Sequence, residues 1–126
     1  MKDVKKIITP TESQIQQAVF EWTEAMSRKY PELKLMYHIP NGNKRDKIEA
    51  AHLKRQGVRA GVPDLCLPVA SGRYHGLYLE LKSERGRLQD SQRVWISDLN
   101  KQGYAAYVCY GFDEAKTAIE KYLRGK

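Results

Sequence analysis

Gly61-Val62-Pro63-Asp64 and, further along, Gly76-Leu77-Tyr78-Leu79-Glu80-Leu81-Lys82 are the stretches whose reading decides the fold. Between them runs Val69-Ala70-Ser71-Gly72-Arg73-Tyr74, rich in turn formers, with Gly72 at its midpoint. If residues 63–69 and 76–82 form one antiparallel hairpin folded at Gly72, residues whose numbers sum to 144 face each other, and Asp64 lies opposite Glu80. Side chains paired across such a ladder have Cβ atoms about 5 Å apart. Alternation then sets Lys82 on the face of Glu80 and turns Leu77, Leu79 and Leu81 the other way, into a core. Two carboxylates and an ammonium converge on one patch at the open end of the hairpin. Clustered carboxylates repel unless a cation lies between them, and a hard divalent ion such as Mg2+ takes oxygen ligands. A metal beside a lysine points to hydrolysis of a phosphodiester. An edge strand with solvated charges is the plain alternative, but Leu77–Lys82 is otherwise strongly apolar and reads as central, where a lysine needs a partner or a task.

Working outward, the 126 residues form one expected domain, residues 1–126, with residues 1–10 as a basic, flexible lead-in. Apolar residues make up 41% and charged residues 29%, as in a soluble globular protein with a real core. The formal net charge of +7 favours an anionic partner, with nucleic acid first. A membrane surface is the rival, but no apolar run approaches a spanning length and no leader opens the chain, so no membrane association and an intracellular location are expected. Cys66 and Cys109 sit in apolar, strand-like sequence and read as two buried thiols. Their spacing against His38, His52 and His75 does not fit zinc, and without a Walker-type loop no nucleotide cofactor is expected.

Thr11-Glu12-Ser13-Gln14 has the form of a capping box. It predicts a helix ending before Pro31, with Ile15, Ala18, Val19, Trp22 and Met26 on one stripe. Leu33–Ile39 reads as a strand, followed by the loop Pro40-Asn41-Gly42-Asn43. A polar helix is predicted from about Lys44 to Gln56, with Gly57 as its stop. After the hairpin, Gly86-Arg87 opens another predicted helix, on which Leu88, Gln92, Trp95, Ile96 and Leu99 share a face, and Gly103 ends it. Tyr104–Tyr110 reads as a strand, and Asp113 caps a last helix carrying Ala115, Ala118, Ile119, Tyr122 and Leu123 inward. The order α-β-α-β-β-α-β-α implies an α/β fold, a mixed sheet flanked by helices.

Three further groups of side chains are candidates. Glu12 lies at the edge of the inward stripe of the first helix, although a first-turn acid also favours the helix dipole. Gln92 falls between Leu88 and Trp95 on an apolar face, where a glutamine needs a hydrogen-bond partner. Lys44, Arg45, Lys47, Lys54, Arg55 and Arg59 crowd the approach to Asp64, with Arg85 and Arg87 just past the Glu-x-Lys strand. Such cations are often only a solvated face, but here they could also follow a phosphate backbone without reading sequence.

The ordered set Arg59-Ala60-Gly61-Val62-Pro63-Asp64-Leu65, Gly76 to Lys82, Gly86-Arg87-Leu88 and Gln89 through Gln92, with Gly103 before the last strand, resembles the virus-type replication-repair nuclease (VRR-NUC) family of the PD-(D/E)xK nucleases. The likeness runs from Glu12 to the final helix. It implies a restriction-endonuclease-like αβββαβ core with a mixed four-stranded sheet. It further implies a Mg2+- or Mn2+-dependent endodeoxyribonuclease, with Asp64, Glu80, Glu12 and the backbone carbonyl of Leu81 as metal ligands. By the same resemblance Lys82 orients or activates the attacking water or stabilises the developing phosphorane charge, Gln92 (with Gln89 as the substitute) serves the active site or the bound strand, and Asn41-Gly42 match a family loop, for which a turn is the plain alternative. Short stand-alone members resemble junction resolvases of phage and DNA-repair type, so branched DNA such as a four-way (Holliday) junction and a homodimer are the implied partners. A flap or nicking endonuclease, or a basic DNA-binding module with a vestigial site, are the alternatives.

Overall fold

The computed structural model describes residues 9–40 and 46–125. The hairpin register holds over the paired residues, although the first strand is shorter than residues 63–69 and the bridge between Ser71 and Tyr74 in the connection sums to 145. Strand β2 (Leu65–Leu67) pairs antiparallel with β3 (Leu77–Lys82) through Leu65 with Leu79, Cys66 with Tyr78 and Leu67 with Leu77, so each pair sums to 144. Gly72 sits in the turn with φ +58°, the left-handed region that glycine enters without a Cβ penalty. A short strand β1 (Tyr37–His38) adds antiparallel to β2, and β4 (Ala105–Tyr110) adds parallel to β3. The mixed four-stranded sheet runs β1-β2-β3-β4, with β3 central as its apolar sequence predicts.

Helices α1 (Glu12–Ala25) and α4 (Phe112–Arg124) cover the leucine face of the sheet. Leu65, Leu67, Leu77, Leu79 and Leu81 are fully buried there against Ile15, Val19, Ala115 and Ile119. Helix α3 (Asp90–Lys101) lies on the opposite face, over β4 and the polar end of β3. Thr11 caps α1 as expected, its hydroxyl accepting the Gln14 N–H at 3.1 Å while the Gln14 side chain accepts the Thr11 N–H at 2.9 Å. Cys66 and Cys109 are buried free thiols.

Three local readings are corrected. Leu33–Ile39 is not one strand: Pro31–Leu35 is a 3-10 turn, and only Tyr37–His38 is extended. Proline pre-sets φ for the first position of such a turn. The buried residues are Leu33 and Met36, three apart, while Leu35 is exposed. The spacing follows the turn and not the alternation of a strand. The helix after β3 begins at Asp90, with Gln89 at its cap, and not at Gly86-Arg87. The last helix takes Gly111, and not Asp113, as its N-terminal cap; Asp113 and Glu114 occupy the first turn. The polar helix α2 spans Lys47–Arg55, with Asp46 accepting the Glu49 N–H at 2.8 Å. Asn41, Gly42, Lys44 and Arg45 lie outside the described residues.

The outer edge of β4 is capped by side chains at Ala106 and Tyr110. Odd-numbered residues of β4 direct their amides to β3, as in the bond from the Ala105 N–H to the Gly76 carbonyl, so Ala106, Val108 and Tyr110 face outward. The Asn100 amide donates to the Ala106 carbonyl at 3.1 Å and its oxygen accepts the Ala106 N–H at 3.0 Å. Glu114 accepts the Tyr110 N–H at 2.8 Å.

Candidate active site

The site begins where the β2–β3 ladder runs out. Position 63, which would accept next from Leu81, is the proline at which β2 diverges. The Asp64 side chain takes over, its Oδ2 accepting the Leu81 N–H at 2.7 Å. In an extended strand the N–H and C=O of a residue point the same way, so the Leu81 carbonyl faces this side as well. Gly61 sets the approach. Its φ is +92°, and a Cβ there would stand 2.7 Å from the backbone oxygen of Ser91, so the loop before Asp64 packs main chain to main chain on the start of α3.

Glu80 and Lys82 point away from the leucines, as alternation requires, and both are nearly sequestered at 2% and 5% exposed. Lys82 Nζ lies 3.6 Å from Glu80 Oε2 and 3.9 Å from Glu12 Oε2. Gln92, itself 6% exposed, resolves its odd position on α3 by using both ends of its amide. Its Oε1 accepts the Gln89 N–H at 2.8 Å and its Nε2 donates to Glu80 Oε2 at 2.9 Å. Gln89 therefore contributes its main chain to the cap, and Gln92 is the glutamine that reaches the carboxylate.

Glu80 Oε1 is buried with no hydrogen-bond partner among the described residues. Burial pushes the Glu80 carboxyl up to about 8, the Asp64 charge adds to the rise, and Lys82 only partly offsets it. Burial also raises Asp64, against the pull of the Leu81 N–H. The two acids lie within reach of sharing a proton, which sits more readily on Glu80. An orphaned buried carboxylate oxygen beside a second carboxylate is a donor set with oxygen chemistry for a hard cation. Glu12 faces Lys82 in this arrangement, and among the described residues no three His, Cys, Asp or Glu side chains group closely enough to hold an ion together. The protein donors on hand are two carboxylates and a main-chain carbonyl.

These groups line a cleft of about 830 Å³ shared with Thr11, Ser13, Gln16, His38, Ser83, Arg87 and Gln89. The N-termini of α1 and α3 both open into it, which favours anions. Of the sequence-predicted cations, Arg87 lies on the cleft wall. Lys47, Lys54 and Arg55 are exposed on α2, a helix with none of its residues buried, and Arg59 and Arg85 are exposed in loops. Gln16, Ser83 and His38 line the cleft although nothing in the sequence singles them out for this site, and of these His38 touches the Asp64 main chain. His38 was weighed only as a zinc ligand, because nothing local fixes how β1 registers on β2 across the 26 residues from His38 to Asp64.

The VRR-NUC domain model matches residues 8–113. A solved structure described as a "VRR_NUC domain protein" superposes with a TM-score of 0.82 at 33% identity, covering 94% of this chain and 93% of that one. No match was found among curated proteins. The matched span holds the hairpin, both carboxylates, the buried lysine and the glutamine that braces them, and with that likeness in sequence and fold the chain belongs to the VRR-NUC family of nuclease-type domains.

Proposed function

We propose that the protein is a divalent-metal-dependent endonuclease that cuts branched DNA, four-way junctions foremost, and works as a homodimer. The observation that carries this reading is the unpartnered, buried Oε1 of Glu80 beside Asp64, with Lys82 held on the other oxygen of the same carboxylate. Asp64, Glu80 and the Leu81 carbonyl would hold Mg2+ or Mn2+, with Glu12, paired to Lys82 in this arrangement, as the proposed further carboxylate ligand. An ion held by these groups would supply Lewis-acid chemistry, lowering the pKa of a water and offsetting charge on the scissile phosphate. Gln92 keeps Glu80 Oε2 engaged, which leaves Oε1 as the oxygen without a partner among the described residues. Lys82 presents an ammonium at the position where phosphate charge develops, and the two carboxylates beside it keep it there. Arg87 and the two helix N-termini seat the flanking phosphates, and the exposed cations of α2 add affinity without sequence preference. Paired clefts in a two-fold dimer would match the two-fold symmetry of a junction.

The test is cleavage of labelled four-way junction, flap and linear duplex DNA with Mg2+, Mn2+ or EDTA. Metal-dependent cutting that a Lys82→Ala variant loses while retaining DNA affinity is the expected outcome, with the junction cut fastest. Preference for the flap would replace the resolvase reading with a flap enzyme. Tight binding with no cutting under any condition would make the chain a DNA-binding module.

A further inference from the structure

We infer that His38 takes part in the reaction, its Nε2 accepting a hydrogen bond from the attacking water while its Nδ1 pins the Asp64 main chain. The inference rests on the nuclease reading above and adds to it a residue outside the carboxylate–lysine set. His38 Nδ1 lies 3.0 Å from the Asp64 backbone oxygen, which also accepts the Ile39 N–H at 2.7 Å. A carbonyl oxygen only accepts, so Nδ1 carries the proton in that contact. In the neutral ring the lone pair then belongs to Nε2, on the far side of the imidazole from the β1–β2 ladder. The ring lines the same cleft as Asp64, Glu80 and Lys82. It also lies near enough to the Asp64 carboxyl that its charged form would hold that acid down.

The charged groups on this wall have tasks of their own, the remaining oxygens of Glu80 and Asp64 being the proposed ion ligands. Asp64 Oδ2 holds the Leu81 N–H, Glu80 Oε2 holds Gln92 and Lys82, and a lysine ammonium has no lone pair to offer a water proton. Nε2 is a neutral acceptor beside them, as are the side chains of Ser13, Gln16, Ser83 and Gln89 in the same cleft, and its ring is fixed against the Asp64 main chain. A histidine that only anchors a neighbouring strand would need nothing beyond its Nδ1 contact, and that plainer role is what the experiment separates.

Two substitutions divide the ring into its halves. Asparagine can reproduce the donor at Nδ1, and glutamine can place an amide where Nε2 stands. His38→Asn is expected to lower kcat roughly 10- to 100-fold with KM little changed, as misplacing a reacting group does. His38→Gln should stay within about threefold of the wild type in kcat. Mn2+ affinity by calorimetry and the melting temperature of His38→Asn should match the wild type. The reverse pattern, with the asparagine variant active and the glutamine variant impaired, would reduce His38 to an anchor. Equal loss in both variants with weakened Mn2+ affinity would also overturn the inference, since the histidine would then act through Asp64 alone. A wild-type protein that cuts no DNA would instead sink the nuclease reading, and this inference with it.

Discussion

Glu80 carries the sharpest consequences at the scale of single residues. Its carboxyl is raised to about 8 in the folded protein from an ordinary 4.5, so between those values the folded state binds more protons than the unfolded one. Stability from this group is complete below about 4.5 and is lost as pH rises through about 8. Metal-free protein should therefore lose melting temperature across that window, and Glu80→Gln, which has no proton to release, should flatten the slope. Thermal unfolding in EDTA at several pH values checks this; a wild-type slope no steeper than that of the variant would refute it. Removing the Gln92 amide by Gln92→Ala strips a partner from Glu80 and from the Gln89 N–H, at a cost of about 1–3 kcal/mol in denaturant unfolding. Much of this was readable from sequence. The alternation of Leu77 to Lys82 separates core from site, and a glutamine on an apolar helix face announces a buried partner. His38 was not readable, because its contact depends on a pairing that no turn dictates.

At the scale of elements, the approach loop and α3 hold each other in place through Gly61. Any Cβ there meets the Ser91 main chain, and the +92° φ is one that L side chains rarely adopt. Gly61→Ala should cost on the order of 1–3 kcal/mol from backbone strain alone, with steric repulsion adding to it. It should also depress nuclease activity at temperatures where the variant remains folded, because Asp64 hangs from that loop. A melting temperature within a degree of the wild type would rule this out. The hairpin register was legible because a slip of one residue would turn Leu65, Leu67, Leu77 and Leu79 out of the core. Leu33–Ile39 was misread because its apolar residues fit both a spacing of two and a spacing of three, and Pro31 tips the choice. The starts of the last two helices were misplaced for a related reason: Gly86 and Asp113 are good cap-forming residues, but the starts are set by the capping box of Gln89 with Gln92 and by Gly111, whose N–H donates to the Lys82 carbonyl.

At the scale of the whole molecule, 22 lysines and arginines against 15 acids leave a +7 chain, and α2 displays several of these cations on a helix that buries nothing. Duplex affinity should fall steeply with salt, and replacing Lys47, Lys54, Arg55 and Arg59 with alanine should reduce the slope of log K against log salt by up to about 3–4. Fluorescence anisotropy across a salt series measures this, and an unchanged slope would remove α2 from the DNA path. The αβββαβ order and the mixed sheet could be inferred from the chain; the standing-off of α2 could not, since its own sequence shows a helix without showing what it packs against. The β4 border has a different kind of consequence. A sheet that ends in bare amides invites a neighbour to extend it, and the Asn100 and Glu114 side chains occupy the bonds a visiting strand would need at Ala106 and Tyr110. Pairing of copies along that margin is thus disfavoured at both ends of β4, which works against growth into open-ended stacks there.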